Sequence, residues 1–100
     1  MANIQISTPF LRSISHTDST IGTSKVQILA VPTNISEKRI VVIVQNKSST
    51  ATIQVIGNAT ETVGIAVAPL ASIKLDNYNG QLYGFSSAAG TLIQVAVASV

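Results

Sequence analysis

Arg39-Ile-Val-Val-Ile-Val-Gln-Asn46 is the stretch on which the reading of the fold turns. Five β-branched apolar residues, Ile40 to Val44, run without a break. The charged pair Lys38-Arg39 stands before them and the polar stretch Gln45-Asn-Lys-Ser-Ser-Thr50 after them. A run of that length and composition reads as a strand covered on both faces, with a loop following.

Toward the C-terminus the chain continues in short alternating pieces. Thr52–Ile56 places Ile53 and Val55 inward and Gln54 outward, and it is expected to return against the central strand as a hairpin. Thr62–Ala68 follows, with Val63, Ile65 and Val67 toward the core. Pro69-Leu70 reads as a tight turn, proline suiting its second position. Ala71–Leu75 comes back with Ile73 and Leu75 inward. Asp76-Asn-Tyr-Asn-Gly80 is the strongest turn signal, because Asn and Gly accept positive φ cheaply. Gln81–Ser86 is a strand, Ser87–Gly90 a turn, and Thr91–Ala98 a last strand with Ile93, Val95 and Val97 inward.

Toward the N-terminus, Lys25–Val31 is a strand stopped by Pro32. Val26, Ile28 and Ala30 share one face, and Lys25, Gln27 and Leu29 the other. Residues 1–24 are expected to be an arm or edge segment ahead of a domain over 25–100. Within them, Asn3–Ser7 alternates as an edge strand would and Pro9 interrupts it. Phe10, Leu11 and Ile14 are candidate anchors to the core, and the Ser/Thr-rich stretch Ser13–Ser24 reads as a loop or extended arm. The expected fold is all-β, a single antiparallel β-sandwich of about seven or eight short strands, immunoglobulin-like or jelly-roll, with an extended N-terminal arm.

Composition narrows the function. Charged residues are 10% of the chain, against about 25% in ordinary domains, and Ser, Thr, Asn and Gln fill the difference. Such a surface suits a protein whose outside lies against other subunits. The net charge is +2, and only Lys38-Arg39 are adjacent among the basic residues, which is no nucleic-acid footprint. There is no cysteine, so disulfides and thiolate metal sites are excluded. The N-terminus lacks the basic and apolar regions of a signal peptide, and no apolar stretch approaches membrane-helix length.

No constellation of residues points to catalysis. His16, the single histidine, has Asp18 two residues away, but no motif surrounds them. Asp18, Glu37, Glu61 and Asp76 fall in separate turns or loops, where acids are ordinarily solvated. Asp76, Asn77 and Asn79 are the one cluster of oxygen donors, and turn formation accounts for it better than calcium does. The glycines match no phosphate loop. Sequons occur at Asn34, Asn46 and Asn58, near what chance gives in a chain so rich in Ser and Thr. Outward positions do carry a signal: Leu29, Ile56, Ala66, Leu92 and Ala96 are apolar or small where a monomer keeps polar residues. With Phe10 and Leu11 of the arm they form the expected interface.

The order of pieces from Arg39 onward adds a family likeness. Gln45-Asn46 closes a strand, Ser48-Ser-Thr50 forms a loop, and Val55-Ile-Gly57 ends the next strand. Gly64-Ile-Ala-Val-Ala-Pro-Leu-Ala-Ser-Ile-Lys-Leu75 follows, then Leu82-Tyr83, Gly90-Thr91 and the alternating Ile93–Val97. This layout resembles the small β-sandwich domains of tailed-bacteriophage virions, found in head decoration proteins, head fibres and minor tail components. It departs at Pro69-Leu70-Ala71-Ser72, where the family often has a glycine, which leaves the turn type open. The resemblance implies a structural protein of the particle, most plainly a capsid decoration (cement) or other head-associated subunit. It would have no catalytic residues and no cofactor. It would act as a homo-oligomer, a trimer or a lattice, against the major capsid protein or other virion proteins. It would be assembled into the virion in the host cytoplasm, with neither nucleic acid nor membrane as partner. A carbohydrate- or receptor-binding module of a tail or fibre is the alternative, with Asn77, Tyr78, Asn79 and Tyr83 as its loop-end site.

Overall fold

The computed structural model describes residues 13–33 and 38–99. They form eight strands: β1 Ser13–Ile21, β2 Val26–Leu29, β3 Arg39–Asn46, β4 Ile53–Ile56, β5 Ile65–Val67, β6 Ser72–Asp76, β7 Leu82–Ser86 and β8 Thr91–Ser99. Phe10, Leu11 and the Asn3–Ser7 stretch lie outside the described residues.

First strands pair with last: β1 with β8, β2 with β7, β3 with β6 and β4 with β5, all antiparallel. This is one long hairpin of four strand pairs. Rolled up, alternate pairs fall in opposite sheets, giving β1-β8-β3-β6 over β2-β7-β4-β5. The roll is closed by β3 against β8 and by β4 against β7. The strand order is that of a jelly roll, one of the two sandwich topologies that the pattern left open.

Three expectations change with this topology. The first is the hairpin between β3 and β4. These strands lie in different sheets, and the intervening loop carries the chain across the sandwich. Alternation says which side chains point inward, but not which strand lies alongside. The unbroken run in β3 instead takes β8 and β6 as its two neighbours.

The second is the Ser13–Ser24 loop or arm. Residues 13–21 are a regular strand paired with β8 over its whole length, from Ser13 opposite Ser99 to Ile21 opposite Thr91. Polar side chains hid it, because little of the strand is covered: only Ile21 is buried, and Ile14, expected as an anchor, is 62% exposed. The third is the inward placement of Val63, which precedes β5 and is 76% exposed. Ile65 keeps the inward side, opposite Val55, but at the end of a three-residue edge strand it is 49% exposed.

The core joins Val42 and Val44 of β3, Ile93 and Val95 of β8, Ile53 and Val55 of β4, and Val67, Leu82 and Ile21. Ile73, Leu75 and Val97 pack against it as expected. Each end of β3 carries a buried polar residue. At one end, a bulge at Ile40 lets Arg39 pair with Ser99 while Val41 pairs with Ala98. The bulge reverses the alternation and turns Arg39 inward, where it is 8% exposed. Its guanidinium donates to the carbonyls of Gly80 (3.0 Å) and Ala30, and its backbone N–H donates to Asn79 Oδ1 (2.9 Å). Its Nε finds no acceptor among the described residues.

At the other end Asn46 is fully buried. Its Nδ2 donates to the carbonyls of Ala51 (2.8 Å), Val67 (3.2 Å) and Ala68 (3.2 Å), and its Oδ1 accepts from Ser48 N–H (3.0 Å). One side chain therefore ties the β3–β4 loop to the β5–β6 turn. That turn closes with Ala71 N–H donating to Ala68 O, and Leu70 takes φ 61° at its third position. Proline before a positive-φ residue is a type II turn, built here without glycine.

Candidate interaction surface

The outer face of the β1-β8-β3-β6 sheet spans four strands. Register places its residues in rows. Ile14, Ala98, Val41 and Asp76 form one row, and His16, Ala96, Ile43 and Lys74 the next. Asp18, Gln94, Gln45 and Ser72 follow, then Thr20 beside Leu92. The first two rows make an apolar band of Ile14, Ala98, Val41, Ala96 and Ile43. One flank carries the exposed pair Lys74–Asp76 (3.6 Å). Beyond the band, Asp18 Oδ1 accepts from Gln94 Nε2 (3.1 Å) and meets Lys47 Nζ (3.5 Å). A sheet face open to solvent ordinarily carries polar residues at such positions.

The interface residues expected from sequence do not gather into one patch. Leu92 (41% exposed) and Ala96 (half-buried) do lie on this face, and Ala66 is exposed on the other sheet. Leu29 and Ile56 are not outward residues. A bulge between Gln27 and Leu29 brings Leu29 opposite Leu82 and onto the core. Ile56 is 3% exposed, although alternation points it away from the core. The chain entering β5 folds back over it, so closely that a Cβ on Gly64 would stand 2.5 Å from Ile56 Cγ2. Sequence reading missed Val41 and Ile43 as outer-face residues, since the unbroken run of β3 hides which side each takes. Ile14 was missed because its strand was not recognised.

The second candidate site fares differently. A cleft of about 260 Å³ opens at the sandwich end, lined by Val55, Ile56, Ile65, Leu75, Tyr78 and Leu82. Of Asn77, Tyr78, Asn79 and Tyr83, only Tyr78 lines it. Tyr78 packs against the core and donates its hydroxyl to Gln81 O. Asn79 Oδ1 is taken up by the Arg39 N–H, and Asn77 serves the turn with φ 55°. Tyr83 lies on the outer face of the other sheet, between Gln27 and Ile56. The four do not converge.

Among the described residues no three of His, Cys, Asp and Glu come together. His16 and Asp18 share the outer face of β1, with Asp18 turned to Gln94 and Lys47. Two of the three sequon asparagines are described: Asn46 is fully buried and Asn58 exposed. No protein-family model matches the chain, and no curated protein matches it in sequence.

Proposed function

We propose that this chain is a non-enzymatic structural subunit of a tailed-phage particle, a capsid-decoration or other head-associated protein that works through contacts with copies of itself and with the major capsid protein. The observation that carries this reading is the apolar band from Ile14 to Ile43 across the outer face. On a lone soluble domain such a face has nothing to gain, whereas repeated over a shell it turns many weak contacts into firm attachment. The jelly roll fits as well, being an architecture of viral capsid domains, though a fold by itself assigns no function. The deciding measurement is the copy number of the protein in virions purified from cells that carry its gene. Many copies per particle, lost on substituting Ile43→Glu in the middle of the band, are expected. Absence from purified particles refutes the reading.

Jelly rolls also serve as lectin domains, and the cleft beside Tyr78 supports a second reading as a carbohydrate- or receptor-binding module of a tail or fibre. Glycan-array binding that disappears in Tyr78→Ala would favour it over the first.

A further inference from the structure

The four edges of the two sheets are treated unequally. β2 is four residues long and bulged, and Pro32 follows it. β5 is three residues long, between Gly64 and Pro69. β6 carries Lys74 and Asp76 on its outer face. These are the usual protections against strand-to-strand association: shortness, bulges, prolines and edge charges. β1 has no proline, glycine or bulge, and its one charge is Asp18. It is nine residues long and regular in register, and among the described residues no strand pairs with it on the side away from β8.

We infer that β1 is a pairing edge for a second copy of this chain, joined antiparallel about a two-fold axis at Thr17. In that register Thr17 faces Thr17 of the other copy, Ser15 faces Ser19, and His16 faces Asp18. This imidazole–carboxylate pair occurs twice by symmetry, on the outer face where β1 already directs both side chains. On the inner face the hydroxyls of Ser15, Thr17 and Ser19 meet hydroxyls, a favourable cross-strand match. One acidic and one ionisable basic residue, placed symmetrically about the middle of a regular edge, give the self-complementarity that an isologous contact requires. The two four-stranded sheets then become one continuous sheet, and the apolar bands of the two copies lie on the same side of it. A single strand edge is small beside the roughly 1,200 Å² of a standard interface, so the dimer dissociates on dilution. This inference deepens the self-association part of the proposed function and needs no particle.

The test uses the full chain in solution. Sedimentation from about 10 μM upward should show a monomer–dimer equilibrium, in the range where weak edge contacts operate. Thr17→Lys, at an exposed site, sets two cations face to face and should leave a monomer with unchanged melting. Because the chain has no cysteine, Thr17→Cys reports the register directly. Paired thiols meet at an effective concentration of millimolar order, so at about 10 μM protein the crosslink should form roughly a hundredfold faster than in Thr50→Cys, in the exposed β3–β4 loop. A chain monomeric at every concentration, a dimer indifferent to Thr17→Lys, or equal crosslinking at the two positions each overturns the inference. None of these outcomes bears on copy number in particles, so the virion reading stands or falls separately.

Discussion

Removing the amide of Asn46 should cost more stability than any other single side-chain truncation at a polar position in this domain. The side chain is fully buried and satisfies four backbone groups: the carbonyls of Ala51, Val67 and Ala68, and the N–H of Ser48. In Asn46→Ala those groups lose their partner in a place water reaches poorly. A buried group left unsatisfied costs about 1–3 kcal/mol, and some of these can rotate toward solvent, so a total of about 3–5 kcal/mol is expected. That is a large part of the ~5–15 kcal/mol that holds a domain together. Urea unfolding followed by circular dichroism measures it, with a midpoint lower by roughly 2 M at an ordinary slope for this size. Asn46→Asp separates hydrogen bonding from packing, because the shape is kept while a carboxylate faces three carbonyl oxygens. The fold then favours the protonated acid, so its folded pKa lies above the unfolded value. Stability of this variant should be greatest in acid and fall as pH rises through the unfolded and then the folded pKa. A loss below about 1 kcal/mol in Asn46→Ala, within the range of ordinary surface changes, or a pH-independent Asn46→Asp, would refute the role given to this side chain.

Other substitutions test other parts of the frame. Leu70 holds φ 61° while two-thirds exposed, so Leu70→Asn should raise stability by about 0.5–1 kcal/mol, read as a higher melting temperature. At Gly64 a Cβ would stand 2.2 Å from the carbonyl oxygen of Val55. Gly64→Ala should therefore cost about 1–3 kcal/mol in a denaturant titration, and accelerate amide exchange at the β4–β5 hairpin. Arg39→Lys keeps the charge but cannot span the carbonyls of Ala30 and Gly80, and about 1–3 kcal/mol should be lost in thermal melts.

Much of the fold is legible along the chain. β3 through β8 fall where apolar alternation and turn residues place them, because from Arg39 onward each strand has an inward face to bury. β1 escaped notice for the opposite reason. Its pairing with β8 is made by backbone groups, and Ser13 to Thr20 bury too little side chain to leave a pattern. Bulges were equally silent. The one at Ile40 turns a flanking charge into the buried Arg39, and the one in β2 moves Leu29 from the outside to the core. A bulge reverses facing without changing composition. The apolar band of the outer face was not legible, since it rests on register between strands far apart in the chain.

The sequence by itself determined an all-β sandwich, the inward face of most strands and a surface with few charges. Those follow from local alternation and composition, which need no knowledge of neighbours. Only the tertiary structure decided that the hairpin is rolled into a jelly roll, that Arg39–Asn46 lies between β8 and β6, and that Asn46 ties two loops together. It also decided that β1 is a long, regular strand at the end of the described sheet. Each of these depends on hydrogen bonds between residues distant in sequence, and backbone groups look alike at every position until the partner strand is in place.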